Sequence, residues 1–206
     1  MTKEGFLFPL PFLIFGAISF YLFIRFLIFS LGYISALFFL LALLVMLFFR
    51  DPARKIPAGD KLILSPADGR IIKSERNGTR PSLSIFLSIF NVHVTRSPVA
   101  GLVKSVEFHK GRFLKAYKDS AQRENQRNEI EIETGSGPVR LHQVTGAIAR
   151  RTIFKPKPGQ TLVAGEKVGL IRFGSRVDLM LPPGSNIDVS EGQKVVGGVT
   201  ILGRLP

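Results

Sequence analysis

Cysteine is absent from the 206 residues, and histidine occurs only three times, at His93, His109 and His142. Without thiols the chain has no disulfide framework, no Cys-ligated zinc, no iron–sulfur cluster and no thiol nucleophile. The three histidines are too scattered to read as a ligand set, so no metal is expected. Acidic residues are also scarce, 15 Asp and Glu against 28 Lys and Arg, for a net charge of +13. Between Phe6 and Phe49 charge is missing altogether except for Arg25, and most of the positive mean hydropathy of +0.25 resides there. Residues 50–206 hold 26 basic and 14 acidic side chains, a net +12 in an otherwise ordinary mixture of polar and apolar residues.

The uncharged run is long enough for two membrane crossings of about 20 residues each. A turn at Ser30-Leu31-Gly32 would give spans over 7–29 and 33–49, with Arg25 near the outer end of the first, reaching back to the interface. A single long tilted helix or an in-plane hairpin is the alternative. The run is too long for a cleaved signal peptide, and no small-residue cleavage site follows it. Arg50, Arg54, Lys55 and Lys61 come next, so the excess of positive charge on the inner side places the rest of the chain in the cytoplasm. A basic domain tethered to a bilayer suits an anionic membrane surface. Nucleic acid is the other common partner of such a charge, but no RNP, zinc-finger or helix-turn-helix pattern supports it.

Two prolines and a glycine make residues 51–62 a linker between this anchor, 1–50, and a domain over 63–206. The domain reads as mostly β. Short apolar or alternating runs occur at 62–64, 70–73, 83–94 and 101–109. Residues 128–133 and 139–144 form a hairpin around Gly135-Ser136-Gly137, and Asn77-Gly78 is a second hairpin dipeptide. The polar stretch 115–127 lacks periodicity and reads as a loop, while 146–151 reads as the start of a short helix. GQTLVAGEKVG at 159–169 and EGQKVVG at 191–197 echo each other. Glycine-punctuated strands of this kind build lipoyl-like sandwiches, so the expected fold is a β-sandwich or barrel-sandwich with lipoyl-like strands in its C-terminal half, behind an N-terminal transmembrane helical hairpin.

The most informative stretch is KVGLIRFGSRVDLMLP, 167–182. Period-two alternation on both sides of Phe173-Gly174-Ser175-Arg176 reads as extended chain, and a Gly-Ser pair between strands is usually a bend. A serine hydroxyl can also attack the carbonyl before it, provided the backbone is strained and a base takes the proton. Arg172 and Arg176 read as solvated strand charges.

Together with Ser65-Pro66-Ala67-Asp68-Gly69 and Asn91-Val92-His93, and with the anchor in front, this stretch resembles the short prokaryotic phosphatidylserine decarboxylases, a family that includes archaetidylserine decarboxylases. The resemblance covers roughly residues 50–206. It implies that the bond between Gly174 and Ser175 breaks by serinolysis, leaving Ser175 as a covalently bound pyruvoyl group and the fragment 175–206 held by 1–174. The pyruvoyl carbonyl would form a Schiff base with the amine of phosphatidylserine, or an archaeol analogue, and draw electrons as CO2 leaves. The product would be an ethanolamine headgroup, with no diffusible cofactor or metal.

By the same resemblance Asp68 pairs with a histidine that serves as base for self-cleavage, and His93 is that imidazole. Longer family members carry a second histidine three residues on, where this chain has Arg96. His93 therefore serves both steps, or another group does one of them; His142 is the reserve, and His109 is assigned to the surface. Arg150, Arg151 and Arg96 are the expected cations for the lipid's phosphate and carboxylate. A homo-oligomer is left open. The alternative is a non-catalytic, membrane-tethered lipoyl-like adaptor, which the fold alone does not separate from the enzyme.

Overall fold

An uninterrupted apolar run satisfies its own backbone most simply as helix, and in the computed structural model the first unit of the chain, Met1–Pro52, contains two. The structure describes residues 2, 5–76, 80–116, 120–146, 152–171 and 175–206. Helix α1 (Leu10–Phe26) starts at Pro9 with a second proline in its first turn, where the missing N–H costs nothing. It ends at Leu27, which takes a left-handed conformation (φ 51°) and donates its N–H to Phe23 O at 2.7 Å. Helix α2 (Phe29–Phe48) follows almost at once. The break thus falls at Leu27-Ile28, and Ser30, Leu31 and Gly32, expected as the turn, lie inside α2. The left-handed cap reverses the chain without any glycine, and Gly32 instead faces the Phe23 ring.

The two helices pack through a small-residue contact. Ser35 Oγ donates to Gly16 O at 2.9 Å, and a Cβ on Gly16 would come within 3.2 Å of the Phe39 ring. Phe15 and Phe38 stack alongside, with ring centroids 5.6 Å apart. With 20 residues and a mean hydropathy of 2.6, α2 is long and apolar enough to cross a membrane, at roughly 30 Å of helix. Helix α1, with 17 residues, is shorter.

In the second unit, Ala53–Pro206, residues 53–59 have no regular structure but are fastened to the β framework by Arg54, which bridges to Asp68. The strands are β1 (Leu62–Leu64), β2 (Gly69–Glu75), β3 (Ser82–Leu87), β4 (Val94–Arg96) and β5 (Gly101–His109), then β6 (Arg127–Thr134), β7 (Gly137–Val144), β8 (Thr152–Phe154), β9 (Thr161–Leu162) and β10 (Lys167–Ile171), and finally β11 (Ser175–Met180), β12 (Asn186–Ile187), β13 (Lys194–Val195) and β14 (Ile201–Arg204). A one-turn helix, α3 (Ala121–Glu124), precedes β6, in a stretch expected to be loop throughout. The helix expected from residue 146 falls largely on 147–151, outside the described residues.

These strands form three antiparallel sheets. The largest has the order β13-β2-β3-β11-β7-β6-β5-β9; β10 lies between β4 and β8, and β14 between β1 and β12. The mostly β fold and the apolar N-terminal helix are therefore as the sequence indicates. The hairpin at 128–144 is present as β6 and β7, with Gly137 at φ +109° closing the turn, a backbone angle open to glycine.

Alternation decides the core. Ile130 and Ile132 of β6, Val139 and Leu141 of β7, and Val177 and Leu179 of β11 are fully buried in one apolar cluster. Each such side chain contributes about 1.5–3 kcal/mol by leaving water. Because β11 is held on both sides, its core face is the most sensitive place to cut. Leu179→Ala is expected to cost about 2–5 kcal/mol, seen as a lowered thermal midpoint of the full chain in detergent. Leu102→Ala, on a side chain 46% exposed, should cost under about 1 kcal/mol.

Candidate active site

Strand β10 sits in the middle of the three-stranded sheet and β11 in the middle of the eight-stranded one, yet only residues 172–174 separate them. Gly174 and Arg172 are among these and lie outside the described residues. Four Cα steps link Ile171 to Ser175, so the two sheets approach within about 14 Å there. Ser175, the first residue of β11, pairs with Leu87 of β3. It is fully buried, and its Oγ makes no hydrogen bond among the described residues. An unpaired buried hydroxyl costs about 1–3 kcal/mol, so its presence calls for an explanation. It is in phase with Val177 and Leu179 and therefore projects from the core face of the sheet.

His93, also fully buried, directly precedes β4. Its Nδ1 lies 2.9 Å from Asn91 O, and Asn91 is itself fixed, its Oδ1 accepting from the N–H and Oγ of Ser88 at 2.9 and 2.7 Å. A proton on Nδ1, donated to that carbonyl, leaves Nε2 as the basic nitrogen. The backbone carbonyl of His93 accepts from Ile171 N–H at 3.1 Å. The histidine is thus tied to the last residue of β10, immediately before the 172–174 connection.

Asp68 is not brought onto His93. Its carboxylate accepts from Arg54 at 2.9 and 3.2 Å and from the backbone N–H of Gly197 at 2.8 Å. Its loop is held at the other end of β4, where Arg96 N–H donates to Pro66 O at 2.8 Å. Three residues of strand, about 10 Å, separate that end from His93. The pairing implied by the resemblance is therefore replaced here by an ion pair with the linker arginine. Arg96 is buried, and its guanidinium donates to Gly165 O at 2.9 Å. Arg150 and Arg151 lie outside the described residues.

His142 belongs to the opposite face of the sheet from Ser175. It pairs with Asp178, which alternates with Ser175 and Val177. Its Nε2 is 3.2 Å from Glu129 Oε2. Burial holds its pKa below the ordinary imidazole value of 6.5, against the opposing pull of Glu129 and Asp178 and with help from Arg127. His109 is one-third exposed, 3.4 Å from Glu107. Arg176, read as a solvated charge, is 1% exposed instead. Its Nε donates to Asp178 Oδ1 at 2.5 Å, and a terminal NH2 to Ser84 Oγ at 2.8 Å. Strand alternation alone places such a charge in water; Asp178, two residues on along the same strand, and Ser84 across the ladder allow its burial.

A buried polar network went unnoticed in the sequence. Gln143 Nε2 donates a short hydrogen bond to Thr95 Oγ1. Asn128 Nδ2 donates to Gln143 Oε1 at 3.3 Å and to Thr152 Oγ1 at 2.7 Å. This network joins β6 and β7 of the large sheet to β4 and β8 of the small one. Gly169 of β10 makes room for it, since a Cβ there would lie 2.7 Å from Gln143 Nε2. Gln143 pairs with Val177, one core-facing position along from Ser175. A signal existed: Gln143 is in phase with Val139 and Leu141, and Asn128 with Ile130 and Ile132, each a polar residue where the pattern calls for an apolar one.

A model of the phosphatidylserine decarboxylase family matches residues 41–203. Several curated relatives carry the name phosphatidylserine decarboxylase proenzyme. That of Paraburkholderia phymatum is 46% identical over 179 residues, which cover 84% of each chain. That of Chlorobaculum tepidum is 44% identical over 168 residues, covering 79% of this chain and 78% of that protein. That of Burkholderia pseudomallei is 46% identical over 176 residues, 82% of each.

The buried ion pair on β11 gives a direct test of how the strand that begins at Ser175 is held. Asp178→Ala leaves the Arg176 charge buried without its carboxylate and is expected to cost about 3–5 kcal/mol. The double variant Arg176→Met/Asp178→Leu should cost markedly less than Asp178→Ala alone. Thermal unfolding of both variants reads the difference.

Proposed function

The chain belongs to the phosphatidylserine decarboxylase family, and on that premise we propose that it converts phosphatidylserine to phosphatidylethanolamine at the membrane surface, using a pyruvoyl group made from its own Ser175. The observation that carries this reading is the fully buried Ser175 Oγ without a hydrogen bond among the described residues, at the strand start that directly follows the connection between two sheets. A bend in an adaptor has no use for such a hydroxyl.

In the maturation proposed, Ser175 Oγ loses its proton to a base and adds to the Gly174 carbonyl carbon. The C–N bond breaks, the nitrogen takes up the proton, and an ester joins Gly174 to the Ser175 side chain. Loss of the Ser175 Cα proton then expels the Gly174 carboxylate, and water replaces the nitrogen, which leaves as ammonia. His93 Nε2 is the base proposed. Asp68 acts at one remove: by holding Arg54 and Gly197 it fixes the loop that anchors β4, the strand that His93 directly precedes.

The surroundings of Ser175 fit a pyruvoyl group, since β3 pairs with Ser175 and β7 with β11 from Arg176 onward, and the side chain lies on the dry face of the sheet. Such a group supplies a carbonyl that engages the substrate amine and accepts the electrons released as CO2 departs. The protein's own part is to exclude water, to hold the anionic headgroup and to return a proton to the headgroup carbon, a role assigned to His93. Arg96, Arg150 and Arg151 are the cations proposed for phosphate and carboxylate, because guanidinium forks match both geometries. The network around Gln143 holds β4, which lies between His93 and the loop of Asp68, against β7.

A two-chain lipid does not leave the bilayer, which gives the apolar helix its purpose. The cluster Arg50, Arg54, Lys55 and Lys61 orients the β domain toward the cytoplasmic side of the cell membrane. After cleavage the fragment 175–206 stays bound, because it contributes the central β11 together with β12, β13 and β14.

The test is the fate of the chain in purified membranes. Wild type should run as two fragments and release CO2 from carboxyl-labelled phosphatidylserine. Ser175→Ala should remain one chain with background activity, while His93→Ala and Asp68→Asn should slow or block processing. Fragmentation of Ser175→Ala would defeat the proposal, and full processing in both other variants would remove His93 as the base.

A further inference from the structure

A cavity of about 460 Å3 opens on the large sheet's other face, the one that carries Met180 and His142 rather than Ser175. Its charged lining is strongly one-sided: Lys73, Arg80, Arg123 and Arg127 against Glu75. Glu75 is already engaged, at 2.8 Å from Lys73 and accepting from Ser82 Oγ at 3.0 Å. Arg127 gives one N–H to Arg123 O at 3.1 Å and keeps the rest of its fork. The side chains of Arg80 and Arg123 make no hydrogen bond or ion pair among the described residues. Exposed arginines around a shallow dent are ordinarily solvated and idle. Here, however, they surround His142, 7% exposed, whose Nδ1 is buried and makes no hydrogen bond among the described residues.

We infer that this cavity is a binding site for a phosphoester anion, distinct from the Ser175 centre on the opposite face. Guanidinium forks match phosphate oxygens in pairs, and three of them converge here without carboxylate partners of their own. The volume lies in the range of small-ligand sites, enough for a glycerophosphate headgroup. An unpaired imidazole nitrogen in the lining adds one donor or acceptor for a phosphate oxygen or headgroup hydroxyl. The inference stands on these side chains and does not depend on the decarboxylase reading.

Phosphoester chemistry is shared by acidic lipid headgroups and soluble phosphate esters, so the test has two arms. Full-chain protein in nonionic detergent is titrated by calorimetry with sn-glycerol 3-phosphate and, separately, with dihexanoyl-phosphatidylglycerol. Saturable binding of the first assigns a soluble ester; saturable binding of the second alone assigns a lipid headgroup. In either case Arg80→Gln/Arg123→Gln should weaken binding by about tenfold or more while leaving thermal midpoint and CO2 release unchanged. Dihexanoyl-phosphatidylcholine, which carries no net negative charge, should not bind. Absence of saturable binding in both arms, or equal affinity in the double variant, would overturn the site.

Discussion

Within three residues the chain must pass from the middle of one sheet to the middle of another, and much of the second unit serves that crossing. Strand β10 is held by β8 up to Ile171 and by β4 up to Leu170, and β11 by β3 from Ser175 and by β7 from Arg176 onward. Neither end can give way without breaking pairing: Ile171 is held by Thr152 of β8 and by the His93 carbonyl, and Ser175 by Leu87 of β3. A serine fixed in this way, on a dry face with its hydroxyl unpaired among the described residues, carries a cost that the surrounding core must offset. The Gln143–Thr95–Asn128–Thr152 network adds a polar tie between the two sheets beside the crossing, where apolar packing would leave relative sliding less constrained.

The two faces of β11 have separate work. Its core face carries Ser175 and then Val177 and Leu179, so the proposed reacting group is continuous with the hydrophobic cluster. Its other face carries Arg176 and Asp178, sealed against Ser84, in register with His142 and Glu129 beyond. Charge on that face is buried because Arg176 and Asp178 of the same strand pair with each other and Ser84 of β3 takes a further guanidinium N–H. Reactive group and ion pair are thereby kept apart by a single backbone thickness. Such separation lets Ser175 sit in a low-dielectric setting without adjacent carboxylates.

Period-two alternation made β6, β7, β10 and β11 legible from sequence, and the motif around Gly174-Ser175 identified the family that the relatives confirm. Register and sheet membership were not legible, because they depend on long-range pairing rather than on local pattern. Arg176 read as solvated since alternation cannot reveal that Ser84 and Asp178 would meet it. Asp68 is expected on a histidine, whereas Arg54, from a stretch that reads as linker and juxtamembrane charge, takes the carboxylate. The helical break was placed at Ser30-Leu31-Gly32 by glycine, and a left-handed leucine at 27 did the reversal instead. Gln143 and Asn128 could have been noticed as polar residues in an apolar phase.

Intact mass of the purified protein, with and without borohydride, tests the central claim most directly. The account requires a small fragment beginning at residue 175, lighter than its sequence by about 17 Da, since a serine terminus loses ammonia on becoming pyruvoyl, and heavier by about 2 Da after reduction. A single chain of unbroken mass in protein that decarboxylates phosphatidylserine would contradict it, as would a fragment that begins with unmodified serine.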